Sequence, residues 1–279
     1  MKKFLCCILF LSLFIDYSLS QNSDNKSIYQ DYQNMIKSID KNDINNVITE
    51  TALYFLGCPY VGSTLDSNNT EQLVINLNKF DCSTFMETVI ALSLDYVSEN
   101  SNYQNFENKL KYIRYRNGIM NGYTSRLHYS SDWIYDNIQK HNIIDRSKEL
   151  GGIRFKKQLN FMSLNPQYYN ALKNSPQTVD SIRIIEKNIN NRHILYYIPV
   201  DKISNIESKI ESGNVILITT SKEGLDYGHV GFAYRKDGVL KFIHASSDYK
   251  QVVISQFPLA EYLKRIKKFT GISVMKIIK

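Results

Sequence analysis

The sequence predicts an α+β fold in which an antiparallel sheet packs on one cysteine-bearing helix, and three observations predict it. Phe85, Met86, Val89, Ile90 and Val97 recur at helical spacing directly after Asp81-Cys82, the mark of a buried helical face. Residues 215–219 form a continuous apolar run of strand length. Residues 229–234 and 239–246 are strand-like runs joined by Lys236-Asp237-Gly238, a hairpin signature because Asp-Gly tolerates the positive φ of tight turns.

The chain opens with Lys2 and Lys3, an apolar run over 4–15 and small residues at Ser18 and Ser20. That run is too short to span a bilayer, which needs about 20 residues, so 1–20 reads as a cleaved secretory signal peptide. An exported product, periplasmic or secreted from a bacterium, with no stable membrane insertion is expected. Its removal takes the formal charge from +7 to +6. The basic residues are scattered except for Lys264, Arg265, Lys267 and Lys268, which read as a solvated helix face, so no nucleic-acid partner is expected. Residues 21–43 read as a flexible lead-in and 44–279 as a single domain with an insertion around 110–200.

Within that domain Ile44, Val47, Ala52, Phe55 and Leu56 predict a helix over 42–56 that stops at Gly57. Pro59 prevents its continuation, so Cys58-Pro59-Tyr60 is a bend that presents Tyr60, a candidate hydrogen-bond donor, shortly before Cys82. Residues 72–77 read as a short strand. Asp81 reads as the N-cap of the cysteine helix, with Thr84 and Glu87 as a capping box. Residues 112–137 interleave arginines, aromatics and glycines, a composition suited to a binding lobe. Residues 151–162 read as strands or an irregular lobe. Ser175-Pro176 starts a helix with one apolar face. A strand over 194–198, a short helix over 201–210 and the strand at 215–219 lead to the hairpin.

Cysteine and histidine carry the chemistry. A sulfur at a helix start meets free backbone N–H groups and the positive end of the dipole, which can bring a thiol from about 8.5 to about 3.5–7.5. Cys82 is therefore a candidate nucleophile. A turn centred between Lys236 and Asp237 sets His229 opposite His244. A two-residue Asp237-Gly238 turn sets it opposite Ser246, still on the face that carries His244. Either register offers an imidazole base and a third polar group to orient it. Two other uses of these residues stand beside this one: a Cys58–Cys82 disulfide in a non-catalytic binding module, and a zinc site, which lacks the usual short ligand spacing.

Tyr60 in its Pro-Tyr bend, Phe80-Asp81-Cys82-Ser83, Gly228-His229-Val230-Gly231 and His244-Ala245-Ser246 resemble, in that order, the motifs of NlpC-type bacterial cell-wall cysteine peptidases and amidases. Residues 113–118 and 125–129 with Asp132-Trp133-Ile134 narrow the resemblance to the domain-of-unknown-function family 1460. It implies a papain-like fold with an inserted substrate-binding lobe. It also implies an N-acetylmuramoyl-L-alanine amidase acting on peptidoglycan fragments, notably those ending in 1,6-anhydro-muramic acid. Cys82 matches the nucleophile, His229 the base, His244 the orienting residue and Tyr60 an active-site tyrosine. Arg126, His128, Trp133, Asp81 and Ser83 are the expected substrate contacts, and no cofactor is implied. The same trio would also serve an endopeptidase cutting between D-glutamate and a diamino acid of the stem peptide.

Overall fold

The computed structural model describes residues 24–66, 70–192 and 195–278. The expected leader, 1–20, lies outside them. Residues 24–36 form a helix, α1. Where the sequence suggested a flexible lead-in, α1 buries Tyr29, Tyr32 and Ile36 completely or nearly so. Its polar look came from the exposed face alone.

The next helix, α2 (Ile44–Tyr54), is capped by Asp43 and stops before Gly57, whose φ of +85° suits glycine. The cysteine helix, α3 (Cys82–Tyr96), is buried at every position from Thr84 onward. It is thus a central helix, enclosed by α2, by α4 (Tyr103–Arg114) and by the sheet. Its capping box is made by Asp81 and Thr84 themselves: Thr84 N–H donates to Asp81 Oδ1 at 2.8 Å, and Asp81 N–H to Thr84 Oγ1 at 2.9 Å. Glu87 takes no part in the cap. Its carboxylate is buried and accepts from Arg114 Nε at 2.6 Å.

After α5 (Ser130–Gln139) come the short strands β1 (Ile143–Asp145) and β2 (Ile153–Arg154). Helices α6 (Phe161–Leu164) and α7 (Pro176–Asn190) follow, α7 with Ser175 as N-cap and Pro176 in its first turn. Tyr129, Leu159, Met162, Leu172, Ile182 and Ile189 give this region a small core of its own. Then come β3 (Tyr196–Pro199), two 3-10 turns over Val200–Asn205 and Glu207–Lys209, β4 (Val215–Thr220) and β5 (Tyr227–Lys236). Strands β6 (Val239–Ser246) and β7 (Gln251–Ile254), helix α8 (Leu259–Lys264) and β8 (Phe269–Ile277) complete the order. The strands line up as β2-β3-β8-β4-β5-β6-β7, with β1 also on β8, and every pairing is antiparallel. One sheet face packs Leu217, Val230, Phe232 and Ile243 against the helices. The other packs Ile218, Ala233, Phe242 and Ile272 against α8 and the 3-10 segment.

The hairpin has the second of the two anticipated registers. Phe232 pairs with Ile243 and Lys236 with Val239, around a two-residue turn with Asp237 at φ +51° and Gly238 at +80°. Residues 72–77 are not a strand. They run as extended chain held by Arg114 Nη1 donating to Val74 O at 2.6 Å and Asn25 Nδ2 to Ile75 O at 2.9 Å.

Candidate active site

The start of α3 is fixed from two sides. The bend after α2 is strapped to β7, with Tyr60 N–H donating to Lys250 O at 2.8 Å and Val252 N–H to Cys58 O at 2.8 Å. It is also strapped to the residue before the cap, Val61 N–H donating to Phe80 O at 2.8 Å and Phe80 N–H to Pro59 O at 2.9 Å. Beneath these bonds Phe55, Phe80, Phe85 and Phe232 pack edge to face at centroid spacings of 4.9, 5.8 and 5.7 Å. That chain of rings ties α2, the strap, α3 and β5 together. Tyr60 is half-buried within reach of the Cys82 charge, and burial pushes its phenol up to about 12, so it stays a donor at neutral pH.

Cys82 keeps part of its surface open. The Ser83 hydroxyl and the backbone N–H groups of Val230 and Cys82 itself favour the thiolate. Burial outweighs them and, with the Asp81 carboxylate beside it, pushes the thiol up to about 12. Sequence reasoning from the helix dipole anticipated the opposite direction. Desolvation of an anion enclosed by protein exceeds what one helix terminus supplies.

The Val230 N–H is available because β5 pairs with β6 only from Phe232 onward, leaving its first half paired to β4 alone. There the β4–β5 register slips between Ile218↔His229 and Thr219↔Tyr227. A bulge at Gly228 thus turns His229 to the face opposite Tyr227 and Val230. His229 Nε2 lies 2.7 Å from His244 Nδ1, and the rings meet edge to face at 4.8 Å. Gly231 makes this approach feasible: a Cβ there would lie 2.3 Å from Ile243 O and 2.9 Å from His244 Cβ. Burial lowers His229 to about 4 and His244 further, so both imidazoles are neutral at pH 7. His244 stacks on Phe242 at 4.8 Å and lies 5.4 Å from the Tyr262 ring of α8. Tyr262 in turn feels the Cys82 charge. No sequence signal marked Tyr262, because its helix reaches the site only through the tertiary fold.

The structure sets Tyr60, Asp81 and Ser83 around Cys82 at the start of α3, and His229 and His244 against each other on β5 and β6. It turns the remaining anticipated contacts inward. Trp133 is 3% exposed and belongs to the main core. Arg126 is 6% exposed, its guanidinium paired with Asp66 at 2.8 Å and Glu71 at 3.3 Å. His128 Nε2 meets Tyr123 O at 2.8 Å and its ring packs 4.3 Å from Tyr123. The arginine-aromatic composition that suggested a binding surface here builds an interior. Asp81 serves the helix cap. Cys58 and Cys82 are both free, so the disulfide of a non-catalytic module is not formed. Among the described residues no three His, Cys, Asp or Glu side chains are grouped to hold a metal ion.

A family model described as AmiA-like, N-acetylmuramoyl-L-alanine amidase-like, matches residues 50–272. The chain is similar to an N-acetylmuramoyl-L-alanine amidase of Bacteroides uniformis ATCC 8492. Identity is 35% and the TM-score 0.81, over 85% of this chain and 99% of that one. A Bacteroides fragilis protein named as a candidate xylanase is 36% identical, with TM-score 0.78 over 82% and 100% of the two chains. A Legionella pneumophila str. Philadelphia 1 protein of the DUF1460 family shares the fold at 21% identity, with TM-score 0.74 over 94% and 97%. No curated protein matches.

Proposed function

The chain belongs to the N-acetylmuramoyl-L-alanine amidase-like family, and from that premise we propose a cysteine-dependent amidase with a papain-like, NlpC-type arrangement. Its substrate is a peptidoglycan fragment ending in 1,6-anhydro-muramic acid, met outside the cytoplasm after removal of residues 1–20. The bond cut joins the lactyl carbonyl of muramic acid to L-alanine. The observation that carries the reading is the His229–His244 contact across β5 and β6, beside Val230, whose backbone N–H favours the Cys82 thiolate.

The tautomers follow from the roles. With Nε2–H of His229 donated to His244 Nδ1, the remaining nitrogen, Nδ1, carries the lone pair that accepts the thiol proton. Because the resting pair is neutral, the Cys82 S–H bond breaks as the S–C bond forms, and the proton moves to His229. The Tyr60 hydroxyl and the Cys82 backbone N–H stabilise the oxyanion. The protonated His229 gives its proton to the departing alanine amine as the C–N bond breaks. Water, deprotonated by the same imidazole, then hydrolyses the thioester and restores the thiol.

A xylanase-type reaction needs two carboxylates flanking the glycosidic oxygen. At Cys82 the nearest carboxylate, Asp81, is occupied by the Thr84 N–H and hydroxyl. Mass spectrometry of an anhydro-muropeptide treated with the protein tests the reading: intact stem peptide beginning at L-alanine is expected. A released dipeptide would mean endopeptidase action instead.

A further inference from the structure

Resting on the amidase reading, we propose that the cavity between α5, β1, residues 155–159 and the end of α7 seats the far, carboxylate-bearing end of the departing peptide. The cavity measures about 640 Å³ and takes no part in the chemistry described above. Three cationic side chains line it, Lys156, Lys157 and Arg192, against one carboxylate, Asp145. Gln158 and Asn190 add amides to the same wall.

Arg192 is partly spoken for by Asp132 and lies over the Tyr135 ring at 4.4 Å. The two lysines are the groups free to receive an anion. Lys156 is exposed, and Lys157 is half-buried with its ammonium donating to Thr220 O. An ammonium has three N–H groups, so Lys157 can donate to a further acceptor while it keeps Thr220 O, in a setting where the buried Asp226 carboxylate also favours its charge. Its burial draws its pKa down, the strain that a bound carboxylate would relieve.

The cavity wall reaches the strand of the proposed base. Thr220, which holds Lys157, faces Gly228 so closely that a Cβ there would sit 3.1 Å from Thr220 Cβ, and Gly228 precedes His229. An extended peptide covers about 3.3–3.6 Å per residue. Three residues leaving the scissile bond therefore span roughly 10 Å, a reach suited to adjoining positions on two neighbouring strands. Stem peptides carry free carboxylates beyond the first alanine, groups that these cations suit.

The test uses two substrates, muramoyl-L-alanine and muramoyl-L-alanyl-γ-D-glutamyl-diaminopimelate, with the parent, Lys157→Ala and Lys156→Glu. The last keeps the exposed site polar and the fold intact. The preference for the longer substrate in kcat/KM should fall about tenfold in each variant, the size of one charge-assisted hydrogen bond. An unchanged preference overturns the proposal. Calorimetry of the free tripeptide with Cys82→Ala protein reads the cavity without turnover. Binding that Lys156→Glu weakens supports the cavity even if the parent hydrolyses neither substrate, which would sink only the amidase reading. Absent binding, or binding indifferent to both lysine variants, sinks the cavity.

Discussion

At the scale of the residue, the account makes the resting site a neutral thiol beside a neutral imidazole, and this has a pH signature. Burial lowers His229 to about 4, and the base must be unprotonated to act. Its working form is complete above that value and is lost as pH falls through it. A profile of kcat/KM should therefore stay level from pH 7 down to about 5 and drop only near 4, since kcat/KM reports the free enzyme. An acid limb near the ordinary histidine value of about 6.5 would mean that the ring is far better solvated than its neighbours imply. Tyr60→Phe keeps the packing and removes one oxyanion donor. A loss of roughly 10²–10³ in kcat with little change in KM is expected. That His229 and His244 share a face was legible from the parity of one short turn, and that Cys82 opens a helix from Asp81 and the apolar spacing after it. The direction of the Cys82 shift was not legible, since it depends on how much protein encloses the sulfur.

At the scale of the element, the precision of the site comes from a cap, a bulge and one close approach. Asp81→Ala removes the acceptor of the Thr84 N–H and should cost about 1 kcal/mol of stability in a urea titration. Activity should fall further than that cost explains, because the first turn of α3 carries the proposed nucleophile. Gly231→Ala should be far worse, as its Cβ would meet backbone at Ile243 O and push β6 with His244 away from His229. The Gly-His-Val-Gly motif marked this glycine, although its reason appears only when β6 lies against it. Other links left no local trace. Glu87 and Arg114 are 27 residues apart and pair inside the core, and Arg114 also holds residue 74 in the stretch that its pattern suggested was a strand. Removing one partner strands a buried charge, so Arg114→Ala should cost about 3–5 kcal/mol.

At the scale of the whole molecule, the α+β class was readable because helical periodicity dominates the first half and strand runs dominate the last third. The first described helix and the inserted lobe were not readable in the same way. Helix α1 presents polar residues to solvent while Tyr29 donates to Asp95 of α3 at 2.6 Å, and Tyr96 at the end of α3 donates to Ile39 O at 2.8 Å. Deleting residues 24–43 uncovers the outer side of α3 and should lower the thermal midpoint and the activity together. The arginines and aromatics of 112–137 look like a recognition surface in one dimension. In three dimensions Arg114, Arg116 and Arg126 pair with Glu87, Asp132 and Asp66.

The central claim is that Cys82 forms a covalent acyl intermediate, and acid-quenched mass spectrometry of the protein during turnover tests it most directly. The account predicts a muramoyl adduct on the peptide containing Cys82, present in the parent and missing from Cys82→Ala, which releases no stem peptide. Stem-peptide release by Cys82→Ala at the parent's rate, with no adduct on the parent, would contradict it.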